Sequence, residues 1–162
     1  MRHVTAATSI HLPDEAATLN CGRRLAEAIG SQAVIYLEGD LGAGKTTLCR
    51  GILRGLGHTG AVKSPTFTLV EPYELGALRV YHIDLYRLGD AKELEYVGID
   101  DYFSIGGLCL VEWPEKGVGY LPTDDLWIRL EVTDTGRLLT WRSDSSLGEE
   151  MSRNLSGSKL SP

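Results

Sequence analysis

The stretch that decides the fold is GDLGAGKT, residues 39–46, which matches the phosphate-binding pattern G-x-x-x-x-G-K-[ST] at every required position. Before it, residues 33–37 (AVIYL) form a short apolar run that is typical of a buried parallel strand. After it, residues 47–56 carry leucine and isoleucine at helical spacing, and Gly57 is the predicted end of the helix. Strand, glycine loop and helix therefore follow one another in the order that this motif requires.

The chemistry of this phosphate-binding loop, residues 39–46, comes from its backbone and two side chains. The glycines let successive N–H groups point at a phosphate beside the positive end of the helix dipole. Lys45 is expected to face solvent and to reach the β- and γ-phosphates, and the Thr46 hydroxyl to ligate Mg²⁺. A glycine-rich turn with a chance Lys-Thr is the alternative, but the matching flanks favour a nucleotide site. The predicted nucleotide-binding residues here are Asp40, Leu41, Gly42, Ala43, Gly44, Lys45, Thr46 and Thr47.

Length and charge limit the classes of protein that this chain can represent. Its 162 residues are enough for one domain with a proper core, and its net charge of −6 disfavours a primary role in gripping nucleic acid. The three cysteines show no C-x-x-C spacing, so they are predicted to be small, reduced side chains rather than a disulfide frame or zinc site. No apolar run approaches membrane-spanning length, which leads us to expect a cytoplasmic protein without a membrane anchor.

The order of the apolar segments predicts an α/β fold. We expect a single P-loop NTPase-like domain over residues 1–142, with a mostly parallel sheet, an antiparallel edge, and helices on both faces. Residues 78–84 and 108–111 are the further predicted strands beside the loop, and residues 126–132 and 138–141 form the antiparallel edge. A polar stretch before residue 108 is interpreted as turn. Residues 143–162 are predicted to be a flexible polar tail, with a loose helix over 147–155 as the alternative.

Two acids stand at the ends of predicted strands. Glu112 follows the most apolar strand and Asp84 ends the His82-x-Asp84 strand, so both are expected at the carboxyl edge where open α/β sheets bind ligands. Each alone could be an exposed strand-end carboxylate. Together with the loop, they suggest a division of labour in which one holds the metal and the other orients the attacking water.

Other candidates carry weaker signals. Thr66 follows Pro65 and is a candidate switch threonine that senses the γ-phosphate. A proline that only stiffens a connector is the equally weighted alternative. Trp113 could stack on a base or a partner, but packing is the more frequent role of such a tryptophan. His82 is interpreted as a satisfied core histidine, and Arg87 as a partner of a nearby acid.

The choice of nucleotide follows from an absence. Only Asn20 and Asn154 occur, and neither begins the Asn-Lys-x-Asp element by which GTPases hold guanine. ATP is therefore the predicted nucleotide.

Four segments, residues 39–47, 63–71, 82–87 (HIDLYR) and 110–114 (LVEWP), together closely resemble the bacterial TsaE (YjeE) family over residues 13–136. The resemblance implies a small ATPase needed for the threonylcarbamoyladenosine modification next to the tRNA anticodon, which acts with TsaD-like and TsaB-like proteins, contacts tRNA indirectly, and does not itself transfer the threonylcarbamoyl group.

The resemblance also implies roles for single residues. It assigns Lys45 to the phosphates, Thr46 and Glu112 to Mg²⁺, and Asp84 to catalysis or water positioning. It implies a switch-like loop at residues 64–66, including Thr66, and it makes a functional Trp113 more credible. Near the adenine it suggests Glu15 and either Gly136 or Arg137.

The sequence thus predicts a Mg²⁺-dependent ATPase in the service of tRNA modification. One rival is a small-molecule or nucleotide kinase, which uses the same loop but also needs an acceptor pocket and usually an arginine-bearing lid. The segments between the predicted elements are short and show no arginine cluster, which favours hydrolysis. A second rival is a binding module whose ATP state matters more than its turnover.

Overall fold

The computed structural model describes residues 7–30, 32–65 and 67–157. The strands are β1 (Thr8–Leu12), β2 (Ala33–Glu38), β3 (Val70–Leu75), β4 (Leu78–Asp84), β5 (Leu108–Glu112), β6 (Leu126–Thr133) and β7 (Gly136–Ser143). The α-helices are α1 (Glu15–Ala28), α2 (Lys45–Gly55), α3 (Glu93–Val97), α4 (Ile99–Ile105) and α5 (Ser146–Gly157), and a short 3₁₀ helix covers Pro114–Gly117.

The strands form one mixed seven-stranded sheet in the order β1-β7-β6-β2-β5-β4-β3. The four central strands β6, β2, β5 and β4 are parallel to one another. The predicted antiparallel pair is present as β6 and β7, and β1 extends this edge by pairing antiparallel with β7. The opposite edge is antiparallel too, because a tight turn at Gly76 and Ala77 folds β3 back on β4. The sheet is therefore parallel only in its centre, where ligand-binding edges of α/β sheets form.

Helices cover both faces of this sheet. Alternate side chains of the central strands, such as Ile35 and Leu110, join one apolar cluster with residues of α1, α2 and α5. The intervening side chains, such as Ile83 and Val111, join a second cluster with Leu94 of α3 and with α4. This alternation is the two-residue period of a strand, and it assigns each strand residue to one of the two layers.

The first two helices approach unusually closely. A Cβ added at Gly22 of α1 would lie 2.5 Å from the carbonyl oxygen of Leu48, and one added at Gly51 of α2 would lie 2.3 Å from that of Leu19. Both separations are far below van der Waals contact, so only glycine fits at these two positions. The backbones of α1 and α2 therefore pack directly against each other.

Two segments differ from the sequence-based expectation. The stretch interpreted as polar turn contains α4, whose Ile99 is buried. The prediction of a flexible tail is wrong for residues 143–157, which end β7 and form α5; the alternative, a helix over residues 147–155, lies within α5. Helix α5 buries Met151 and Leu155 in the core. Because these side chains lie one helical turn apart, they form an apolar stripe, and the packed domain extends beyond the predicted boundary at residue 142.

The cysteines are all buried and free, as the sequence predicted for small core side chains. Burial raises the pKa of Cys21 to about 12 and that of Cys109 to about 12.

Among the described residues, no helix has the length and apolar character needed to cross a membrane.

Candidate nucleotide site

The parallel centre of the sheet positions the candidate site. Glu112 ends β5 and pairs in register with Leu37 of β2 on one side and with Asp84 of β4 on the other. Because parallel strands end at the same edge, the two acids lie beside the glycine loop that connects β2 to α2.

At this edge the structure forms a cleft of about 440 Å³. Its wall combines the loop and the start of α2 with the ends of β4 and β5. The lining residues are Leu41, Gly42, Gly44, Lys45, Thr46, Thr47, Ser64, Asp84, Tyr86, Arg87, Glu112 and Trp113. The fold thus brings most of the predicted phosphate, metal and catalytic residues into one cavity.

Thr46 and Glu112 lie next to each other in this cleft. The Thr46 hydroxyl lies 3.5 Å from Glu112 Oε1 and 3.4 Å from Glu112 Oε2. Glu112 is buried, at 3% exposure, so its carboxylate is held by the protein rather than by bulk water. A hydroxyl and a carboxylate are hard oxygen donors of the kind that Mg²⁺ selects, so this donor set fits a magnesium ion.

Lys45 is folded back onto the loop. Its ammonium donates to the carbonyl oxygens of Gly39 and Asp40, the latter at 2.9 Å, and lies 4.4 Å from the ring centre of Trp113. The expectation of a solvent-facing side chain is therefore wrong, because Lys45 is only 5% exposed. Burial lowers the pKa of its ammonium, and the carboxylates of Glu112 and Asp84 oppose that shift.

Asp84 is buried and fixed by its own turn. The Tyr86 N–H donates to Asp84 Oδ1 at 2.9 Å. Burial raises the pKa of the Asp84 carboxyl above its ordinary value, and the negative charge of Glu112 adds to the rise, while the hydrogen bond from Tyr86 opposes it. An acid with a raised pKa in a cleft is a frequent property of catalytic groups.

Trp113 adopts a backbone conformation that is rare for a bulky residue. Its φ of 59° and ψ of 48° place it in the left-handed region, directly after β5 and at the start of the 3₁₀ helix. Its ring lies 5.1 Å from that of Tyr86 and beside Lys45. Such strain persists only where surrounding contacts impose it, and it is concentrated at functional sites.

A second cleft of about 210 Å³ adjoins the first across the loop. Glu15 and Gly136, which the sequence associated with adenine, both line it, and Arg137 lies beside them. Arg137 donates to the carbonyl oxygens of Ala43 at 2.9 Å and Gly42 at 3.2 Å, so it holds the loop backbone on the side of the smaller cleft. The two clefts share Gly42, Gly44 and Thr47 in their walls, so they lie next to each other along the loop.

Not every predicted site residue lies in these clefts. Asp40 and Ala43 line a third cavity, on the side of Glu115 and Arg129. Thr66 lies outside the described residues, whereas its neighbour Ser64 lines the main cleft.

Arg87 was interpreted as the partner of an acid. Instead, its guanidinium carbon lies 4.3 Å from the ring centre of Phe67. The side chain is thus directed at the loop that precedes β3.

Two contributions were not foreseen from the sequence. Tyr86 lines the cleft, holds Asp84 through its backbone and packs on Trp113. His82 was expected to be a satisfied core histidine. It is buried, but its Nδ1 has no hydrogen-bond partner among the described residues, and its Nε2 lies 2.5 Å from Glu112 Oε2. The only sequence signal for this contact is that His82 and Asp84 share one face of β4.

Comparisons with known proteins agree with this architecture. The family model described as "Threonylcarbamoyl adenosine biosynthesis protein TsaE" matches residues 12–139. A tRNA threonylcarbamoyladenosine biosynthesis protein TsaE from Haemophilus influenzae is 46% identical over 146 residues, which cover 87% of this chain and 92% of that protein. One from Bacillus subtilis is 44% identical over 126 residues, 75% of this chain and 78% of that protein. The crystal structure of Bacillus subtilis YdiB superposes with a TM-score of 0.79 at 32% identity and covers 98% of both chains.

Proposed function

This chain belongs to the TsaE family of threonylcarbamoyl adenosine biosynthesis proteins, and from that premise we propose that it binds ATP with Mg²⁺ and hydrolyses it in support of tRNA threonylcarbamoyladenosine formation. One observation carries the proposal. The Thr46 hydroxyl and the Glu112 carboxylate meet at 3.4 Å in a cleft that also contains Lys45 and Asp84.

Phosphate binding draws on the loop and on α2. Gly44 precedes the first turn of this 11-residue helix, whose unpaired N–H groups and dipole favour a bound anion. Lys45 adds a full positive charge, and its ammonium now rests on backbone carbonyls, which a phosphate oxygen can replace as acceptor. The loop therefore offers both donors and charge to a polyphosphate.

Magnesium would be held by Thr46 and Glu112. When bound, the ion would neutralise phosphate charge as the bond to the leaving group breaks. The protein contributes the fixed positions of the two oxygen donors.

Hydrolysis requires a positioned water. In the proposed step the water oxygen bonds to the γ-phosphorus, the bond from phosphorus to the β–γ bridging oxygen breaks, and ADP and phosphate leave. Asp84 accepts a hydrogen bond from this water, with its carboxylate oriented by the Tyr86 N–H. The proton released from the water passes to the phosphate product or to solvent.

The adenine is assigned to the adjoining cleft. This cleft, lined by Glu15 and Gly136, shares Gly42, Gly44 and Thr47 with the main cleft, which supports one extended nucleotide rather than two separate ligands. A Cβ at Gly136 would lie 2.2 Å from the Leu12 carbonyl oxygen, so the floor of this cleft requires glycine.

The proposed setting is the cytoplasm, with TsaD-like and TsaB-like proteins as partners and with tRNA contacted indirectly. The net charge of −6 supports the indirect contact, since direct binding of a phosphate backbone favours positive charge.

The test compares two acids of similar chemistry. Glu112→Gln removes the carboxylate beside Thr46, whereas Glu115→Gln changes a neighbouring acid that lines the third cavity. We expect Glu112→Gln to raise the Mg²⁺ concentration needed for phosphate release from ATP and Glu115→Gln to behave as wild type. Wild-type protein that releases no phosphate from ATP would refute the proposal, and phosphoryl transfer to an added small-molecule acceptor would favour the kinase alternative.

A further inference from the structure

His82 is completely buried in β4, at 0% exposure, two residues before Asp84. Its register partner on β5 is Leu110, while that of Asp84 is Glu112. The imidazole therefore reaches diagonally along the sheet, and its Nε2 lies 2.5 Å from Glu112 Oε2. No other buried histidine ring within the described ranges contacts an acid of the cleft.

The surroundings of the ring determine which nitrogen carries the proton. Nδ1 is buried and has no hydrogen-bond partner among the described residues. A proton on Nδ1 would leave a buried N–H donor unsatisfied and would place the bare Nε2 against a carboxylate oxygen. A proton on Nε2 avoids both costs, so the Nε2–H donates to Glu112 Oε2.

This hydrogen bond constrains the carboxylate that faces Thr46. Both oxygens of Glu112 lie within 3.5 Å of the Thr46 hydroxyl, so rotation of the carboxylate would change which oxygen faces the cleft. A donor fixed in a strand and bonded to Oε2 removes that freedom. Hydrogen bonds of this kind to a ligating carboxylate orient it and change metal affinity by about 10–100-fold.

We propose that His82 is a positioning residue that holds Glu112 in the orientation in which it ligates the metal of a metal–nucleotide complex. This role rests on the proposed function of the cleft. It concerns the affinity for metal and not the affinity for the nucleotide alone, because His82 lies beneath Glu112 and does not line the cleft.

Cys49 provides a matched control. Its Sγ, a His82 ring nitrogen and a Glu112 oxygen all lie within 4.8 Å of one another, and Cys49 is as buried as His82. Burial raises the pKa of the Cys49 thiol well above its ordinary value, so it adds no charge beside Glu112. Cys49→Ala therefore changes packing at the same place and leaves the hydrogen bond intact.

The experiment uses the full chain and three variants. His82→Gln keeps an amide donor near the position of Nε2, whereas His82→Asn places its amide near Nδ1 and out of reach of Glu112. Titration calorimetry with Mn²⁺ in the presence of ADP measures metal affinity, and titration with ADP in EDTA measures metal-free nucleotide affinity. We expect His82→Asn to weaken Mn²⁺ binding about 10–100-fold, His82→Gln to recover most of it, and Cys49→Ala to match wild type. Metal-free ADP affinity should not change.

Several outcomes would overturn this role. The first is a His82→Asn variant that binds Mn²⁺ as tightly as Cys49→Ala does. The second is an equal loss of Mn²⁺ affinity in His82→Gln and His82→Asn together with equal falls in melting temperature, because that result indicates a packing role alone. Long-range ¹H–¹⁵N NMR of the wild type measures the tautomer of His82 and does not need a folded His82→Asn variant. The His82 signal is assigned by its loss in His82→Gln. A proton on Nδ1 would contradict the proposed role. Wild-type protein that binds ADP and Mn²⁺ normally while the variants do likewise refutes only this role, whereas wild type that binds neither refutes the proposed function as well.

Discussion

The ammonium nitrogen of Lys45 lies 4.4 Å from the centre of the Trp113 ring, so the loop lysine and the strained tryptophan after β5 are in direct contact. A cation over an indole face is attracted by about 0.5–2 kcal/mol, depending on solvent exposure. The contact holds Lys45 close to the carbonyls of its own loop. Ligand binding at this site therefore begins from a lysine that already has partners.

Lys45→Ala should abolish measurable ATP binding and leave the fold intact. The lost ammonium is the only positive side-chain charge within residues 39–46, and Lys45 lines the cleft and belongs to neither apolar cluster of the core. The control is Lys116→Ala, which removes another ammonium near the same ring, 5.9 Å from the Trp113 centre, but outside the cleft. Calorimetric titration with ATP and circular dichroism provide the measurements. A folded Lys45→Ala variant that binds ATP as tightly as Lys116→Ala would contradict the proposal that this loop binds the phosphates of ATP.

Asp84→Asn should lower turnover by about 10²–10⁴-fold and change nucleotide affinity little, because Asp84 is assigned to the water and not to the phosphates. Steady-state phosphate release and ADP titration measure the two quantities. The same variant separates a motor from a nucleotide-gated binding module. If it still assembles with TsaD-like and TsaB-like proteins and supports modification at the wild-type rate, hydrolysis is not the essential step. A large loss of ADP affinity would instead show that the roles assigned to Asp84 and Glu112 are reversed.

The isolated chain should hydrolyse ATP slowly, and the partner proteins should accelerate it. The arginine that lines the main cleft, Arg87, is stacked on Phe67 rather than directed at the loop that would hold phosphate. An arginine finger contributes about 10³–10⁵-fold, so Arg87→Ala should reduce basal turnover by far less than that. Phosphate release with and without TsaD-like and TsaB-like proteins tests both statements, with Arg79→Ala, an arginine of β4 that does not line the cleft, as control. A loss of 10³-fold or more in Arg87→Ala at unchanged binding would make Arg87 the finger.

Stability should fall as pH rises from about 4 to about 7, in part because of Asp124. Burial raises the pKa of the Asp124 carboxyl to about 7, and a hydrogen bond with Asp144 and the charge of Asp144 add to the rise. Because the pKa of Asp124 is higher in the folded state than in the unfolded state, the folded protein binds the Asp124 proton more tightly. The stabilisation by this proton is complete below the unfolded pKa and is lost as the pH rises through about 7. Urea unfolding of wild type and Asp124→Asn across this range measures the slope. An unchanged slope in Asp124→Asn would contradict this account.

Gly51→Ala should destabilise the protein, although alanine is the better helix former by roughly 1 kcal/mol. The added Cβ would lie 2.3 Å from the Leu19 carbonyl oxygen, and overpacking of this kind costs about 1–3 kcal/mol. At Gly30 a Cβ would meet nothing within 4 Å, so Gly30→Ala is the control. Thermal unfolding should show a lower midpoint for Gly51→Ala alone. Equal midpoints would mean that the helices separate at little cost.

The local parts of the fold were predictable because their signals are local. The strand, glycine loop and helix around Lys45 follow from spacing within one segment. The antiparallel pairing of β3 was missed because it depends on a turn at Gly76 that carries no strong hairpin signal. Serine, glycine and charged residues weaken the sequence signal for helix α5, although Leu147, Met151 and Leu155 recur every four residues.

The sequence indicated which residues form the candidate site better than it indicated the contacts between them. That Asp84 and Glu112 end neighbouring strands was inferred from the general rule for parallel sheets. The bond from His82 to Glu112 was not, because 30 residues separate the two and only the register of β4 against β5 brings them together. Lys45 was expected in solvent because a motif specifies what a side chain binds and not which carbonyls it contacts otherwise.

The glycine contact between α1 and α2 has a mechanical consequence. Glu15 begins α1 at the smaller cleft, and Lys45 begins α2 at the larger one. With Gly22 and Gly51 in backbone contact, we expect the two helices to move together rather than past each other. We therefore expect the distance between the two clefts to stay constant, so that a ligand that occupies both must match it in length.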